Sequence, residues 1–171
     1  MDFFDVVEQR RSIRTYEDRP VEEEKLERIL EGARLAPSAG NRQEWKFVVV
    51  RDRELRRQLM QAARGQQFIA DAPVTIAACA PEHEHVMSCG HPSFLVDVSI
   101  ALEHIALAAR ALDLGTCWVG AFDQRQVRDV LEIPDSVEVV GLMALGYPVE
   151  WPAPKERQQL ERIVSYDGWA D

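Results

Sequence analysis

The segment from Ser93 to about Leu112 restricts the fold more than any other. It reads as the longest helix, and Phe94, Leu95, Val96, Val98, Leu102, Ile105 and Leu107 put apolar side chains on every side of it. A helix that is apolar all round must be covered all round. Asp97, Glu103, His104 and Arg110 interrupt the run too often for a membrane span. At 171 residues the chain is most simply one domain, 1–171. One sheet in so small a domain cannot cover both sides of such a helix. The other side is expected to pack against its own copy in a homodimer.

Helical and strand patterns alternate along the chain. Helices are expected over Asp2–Arg10, 22–36, Asp52–Ala63 and Asp123–Leu131, with a short helical piece at Phe68–Asp71. Asp2, Asp52 and Asp123 are natural caps, and Gly115 is a candidate for the residue closing the long helix. Strands are expected at Trp45–Arg51, Pro73–Cys79, Thr116–Val119 and Val137–Leu145. Pro148, Pro152 and Pro154 then set an extended tail, with a helical turn or added strand at Gln158–Val164. The class is mixed α and β around one sheet.

The formal net charge is -9 and the pI about 5.0, which argues against nucleic acid and anionic membrane surfaces as partners. Met1–Asp5 shows no basic region ahead of an apolar one, so no signal peptide is expected. Three scattered cysteines are not a disulfide framework and suit a reducing cytoplasm.

Against that acidity, Arg10-Arg11-Ser12-Ile13-Arg14-Thr15-Tyr16 is a tight cationic knot. Arginine's planar fork suits a phosphate, and Ser12 and Thr15 add hydroxyl donors. The alternative is a solvated basic turn at a helix end. Three other places add to the first reading. Pro37–Asn41 is a loop of small and polar residues, Thr116–Ala121 ends a strand on a glycine, and Lys155 and Arg157 are cations in the tail. Together they describe a site for a flat heterocycle bearing one phosphate. Cys79, His83, His85, Cys89 and His91 are also close in sequence, but their spacing matches no zinc module. That segment is expected to be a flexible loop over a pocket, with no metal.

The sequence resembles the nitroreductase family of flavin mononucleotide (FMN) oxidoreductases over nearly its full length. The resemblance rests on the Arg10–Tyr16 knot, on Ala36–Trp45, on Leu114–Phe122, on Leu145–Pro148 and on Pro154–Arg157. It implies an α+β fold with a central mixed or antiparallel sheet flanked by helices. It also implies an intertwined homodimer with a long buried interface helix and two flavins between the subunits. Arg10, Ser12 and Arg14 match positions that hold the phosphate and the pyrimidine edge, and Arg11 belongs to the same motif. Pro37, Ser38, Ala39 and Asn41 match a loop reaching the flavin of the opposite subunit. Gln66 matches a polar contact to the ring edge. Val119, Gly120 and Ala121 match the strand end facing the reactive ring nitrogen, and Lys155 and Arg157 the second phosphate contact. Glu44 departs from the family, which often has proline there.

The implied activity is ping-pong hydride transfer from NADH or NADPH to an electron-poor small molecule, such as a nitroaromatic or quinone. Arg14 gives electrostatic support, and no side chain is assigned as acid or base. The alternatives are a specialised relative (a reductive dehalogenase or flavin-fragmenting enzyme) or a non-catalytic flavin-binding or sensing dimer.

Overall fold

The computed structural model describes residues 1–169; residues 170 and 171 of the expected domain lie outside them. Four strands form one antiparallel sheet in the order β1 (Lys46–Val50), β2 (Val74–Ala80), β4 (Glu138–Gly146), β3 (Gly115–Val119). Side chains alternate across the two central strands. Val74, Ile76 and Ala78 of β2, with Met143 and Leu145 of β4, face one core. Ala77 and Cys79, with Leu142 and Ala144, face the other.

The first core is closed by α5 (Ser93–Ala111) through Val98, Ala101, Leu102 and Ile105, and behind it by Leu26, Ile29 and Ala33 of α2 (Glu23–Arg34). The second is closed by Leu59 of α3 (Arg53–Ala62), Phe68 and Ile69 of α4 (Phe68–Asp71) and Val127 of α6 (Gln124–Leu131). The three expected aspartate caps all form: Asp2 accepts from Phe4 N–H at 2.7 Å, Asp52 from Leu55 N–H at 2.8 Å and Asp123 from Gln126 N–H at 3.0 Å.

One local expectation is corrected. The long helix closes on Asp113, which takes the left-handed conformation (φ 61) while Leu114 N–H bonds back to Ala109 O at 2.8 Å. Gly115 is instead the first residue of β3, and glycine is needed there because Ile13 fills the space a Cβ would occupy. The segment after β2 is a hydrogen-bonded turn: Val86 bridges Pro92, Met87 N–H bonds His91 O at 2.9 Å, and Gly90 supplies φ 90. The tail ends in a single 3-10 turn at Leu160–Arg162, the helical one of the two alternatives expected there.

α1 (Phe3–Gln9) leads into an extended stretch along the free edge of β3. Ser12 bridges Thr116 in parallel, and Ile13 N–H donates to Thr116 O at 2.8 Å. Ile13 is only 1% exposed. Ile13→Ala should lower the unfolding free energy by about 2–5 kcal/mol, the range for a buried aliphatic truncated to alanine. Denaturant titration with an unchanged m-value is the measurement, and a loss below about 1 kcal/mol would mean the edge is held by its hydrogen bonds alone.

Candidate functional site

The alternation that sends Ile13 into the core turns Ser12 and Arg14 outward. The tail arrives beside them after β4: Tyr16 bridges Pro148, and Val149 N–H donates to Thr15 O at 3.1 Å. The two stretches enclose a cavity of about 230 Å³ lined by Arg10, Arg11, Ser12, Arg14, Pro152, Ala153, Lys155 and Arg157. The knot and the second cationic pair therefore meet within one chain.

No carboxylate lines this cavity. Arg10 Nε lies 3.8 Å from the exposed carboxylate of Glu103, a loose pair that water screens. Among the described residues Arg11, Arg14, Lys155 and Arg157 form no ion pair. Arg11 is partly committed elsewhere, its Nη1 donating to Glu8 O at 2.6 Å and Arg10 O at 2.9 Å. It thus satisfies carbonyls at the end of α1, while its Nε is buried without a partner. Arg14 lies over the Phe68 ring at 5.8 Å.

At the end of β3, Val119 is buried and Gly120 lies against the Trp118 ring, where an added Cβ would come within 2.7 Å. Gln66 Nε2 donates to Ala63 O at 3.0 Å and Ala121 O at 3.2 Å, which fixes it beside that strand end. The Pro37–Asn41 loop does not line the cationic cavity. It carries left-handed backbone at Gly40 (φ 59), Asn41 (φ 55) and Gln43 (φ 54). Two carboxylates tie it to α5. Both oxygens of Asp97, 2% exposed, accept from Ala39 N–H at 3.1 Å, and buried Glu44 accepts from Ser93 Oγ at 3.2 Å. Neither anchor was expected from the sequence. For Asp97 the signal was a carboxylate on a helix face otherwise made of core residues, where burial demands a partner.

Two other depressions contain charged side chains. One of about 430 Å³ is lined by Arg42, Glu44, Glu82, His83, His85 and Ser136. Among the described residues no three His, Cys, Asp or Glu side chains converge as a metal site would need. A larger one, about 570 Å³, is bordered by Arg19, Arg51, Arg53 and Arg56 and shares no residue with the cationic cavity. Three of its arginines are already engaged, by Glu22, by Glu23 and by the carbonyls of Ala70 and Ala72. The smaller cavity has no carboxylate in its lining, whereas the larger one is also bordered by Asp18 and Asp71.

Residues 7–147 match the sequence profile of the Nitroreductase family. The chain belongs to the nitroreductase family. A provisionally named NADH dehydrogenase/NAD(P)H nitroreductase of Archaeoglobus fulgidus is 40% identical over 143 residues, 81% of each chain. The FMN reductase [NAD(P)H] of Bacillus subtilis is 34% identical over 170 residues, covering 90% of this chain and 68% of the relative. A nitroreductase family protein of Clostridium difficile superposes with a TM-score of 0.89 at 34% identity, covering 99% of this chain and all of that one. The family match ends at Tyr147, short of Lys155 and Arg157.

This nitroreductase-family fold keeps its inner thiols protonated. Burial pushes Cys79 up to about 11 and raises Cys117, while Cys89 is exposed. A thiol reagent at neutral pH should add one equivalent to the native protein, at Cys89, and three after unfolding. Mass spectrometry reads this directly; rapid modification of Cys117 in the native protein would contradict its burial beside the knot.

Proposed function

We propose that the chain is an FMN-dependent NAD(P)H oxidoreductase that works as a homodimer and reduces electron-poor small molecules. The observation that carries the reading is the cavity of five cations and one serine, with no carboxylate in its lining. A dianionic phosphate needs such a wall of donors. In this reading Arg10, Ser12, Lys155 and Arg157 hold the phosphate, and Arg11 adds charge while bonded to the end of α1. Arg14 stands toward the ring as an electrostatic support.

When bound, FMN would supply the redox chemistry that links NADH or NADPH to an acceptor such as a nitroaromatic or quinone. Donor and acceptor bind in turn, so the kinetics are ping-pong. Val119, Gly120 and Ala121 offer main-chain groups at a strand end where glycine leaves room for the Trp118 ring, and Gln66 is fixed beside them on Ala121 O.

At about 230 Å³ the cavity lies below the roughly 300–1,000 Å³ of whole ligand sites, so one chain makes only part of this one. The rest is assigned to a second copy, through Pro37, Ser38, Ala39 and Asn41. Leu95 and Val96 of α5, Phe3 and Phe4 of α1, and Trp118 of β3 are large apolar side chains left exposed, as an interface between copies requires. Among the described residues no helix is long and apolar enough to cross a membrane. Three unpaired cysteines suit a reducing cytoplasm.

Anaerobic addition of NADH or NADPH to the flavin-loaded protein should bleach the flavin absorbance, and a quinone or nitroarene should restore it. Failure to bleach with either nucleotide would favour a binding or sensing dimer. Replacing Arg10 and Arg157 together by alanine should weaken FMN binding by about 3–6 kcal/mol, taking about 1.5–3 for each charged hydrogen bond. A double variant that binds FMN as tightly as the parent would remove the phosphate assignment.

A further inference from the structure

We propose that Arg110 and Trp151 form a latch that holds both walls of the cationic cavity, and so sets how tightly the chain grips the phosphate of its ligand; this rests on the FMN reading above. Arg110 is buried in the last turn of α5. Its Nη2 donates to Gln9 Oε1 at 2.7 Å and its Nη1 to Asp113 Oδ1 at 3.0 Å. The guanidinium carbon lies 4.2 Å from the centre of the Trp151 ring. Gln9 immediately precedes Arg10, and Trp151 immediately precedes Pro152. The two walls are far apart in sequence, yet a single guanidinium grips each one residue outside the cavity lining.

The tail has little else to fix it there. Val149 still bonds the knot, but residues 150–158 make no hydrogen bond or ion pair among the described residues. The stack on Arg110 is thus the directional contact that precedes Lys155 and Arg157. Trp151 is 39% exposed, so burial alone does not lock it. Arginine suits the task because its plane stacks on an aromatic face while its edge still donates hydrogen bonds. A lysine ammonium cannot serve Gln9, Asp113 and the ring together. The ion pair to exposed Asp113 contributes little by itself. Arg110 Nε is buried with no partner, a cost that points to the residue being held for its position.

The test titrates the full chain with FMN and with riboflavin, which lacks the phosphate, in the parent and in Trp151→Ala, Trp151→Phe and Arg110→Lys. The latch predicts that Trp151→Ala weakens FMN about ten-fold, the order of one misaligned charged contact, with riboflavin nearly unchanged. Trp151→Phe should keep most of the preference for FMN, and Arg110→Lys should lose most of it. If Trp151→Ala does not fold, the Arg110→Lys and Trp151→Phe pair decides by the same ratio. A parent that prefers FMN, with variants that keep the preference or weaken both flavins equally, overturns the latch and leaves the FMN reading standing. A parent that binds the two flavins alike overturns the phosphate reading itself, and the latch with it.

Discussion

Ile13 buried against Gly115, with its N–H on Thr116 O, is the contact from which the site is built. It turns a basic stretch that water would readily hold as a mobile arm into an extra edge on the sheet. Tyr16 reinforces it, its hydroxyl donating to Ile13 O at 2.9 Å from a buried position. Burial raises that phenol well above its ordinary range, so it stays a donor at any physiological pH. Once this edge is fixed, period-two alternation does the rest: the isoleucine goes in, and the serine and arginine on either side face out. The same edge then guides the tail, since Thr15 O and Tyr16 receive it at Val149 and Pro148.

The long helix contributes more than core. Asp97 and Arg110 interrupt its apolar pattern, and each reaches a different candidate-site segment. Asp97 accepts from the Ala39 amide and so sets the loop at 38–43, whose left-handed residues need outside support. Arg110 reaches the end of α1 and the start of the tail. Buried charges are costly without partners, so these positions tie the loop at 38–43, the end of α1 and the start of the tail to the longest helix in the molecule. Glu44 shows the same logic, bonding Ser93 at the first residue of α5.

Two groups of site residues remain apart within one chain. The cations of the knot and tail share a cavity, and Gln66 shares a strand end with Ala121, but Pro37–Asn41 line neither. α5 is covered by the sheet and α2 on one side, while Leu95 and Val96 face outward on the other. The proposed dimer accounts for both facts with one assembly, because the uncovered helix face and the unmatched loop are joined through Asp97.

The sequence by itself determined the elements, because their signals are local: aspartate caps, apolar periods of 3.6 and 2, and prolines that stop helices. It determined the charge of the site too, since a basic knot stands out in an acidic chain, and a family pattern spread over five short stretches was legible. It placed the residue that closes the long helix two positions late, because Asp113 can adopt the left-handed turn usually given to glycine, and Gly115 was needed for a neighbour that only packing supplies. Only the tertiary structure decided which charged side chains are tied to the scaffold and which are not. Arg11 and Arg14 look alike in a motif, yet one bonds to the carbonyls of α1 and the other does not; Asp97 and Arg110 look like surface breaks in a helix, yet both are buried. A side chain's partner depends on what other elements bring to it, and that distance through space is not written in the spacing along the chain.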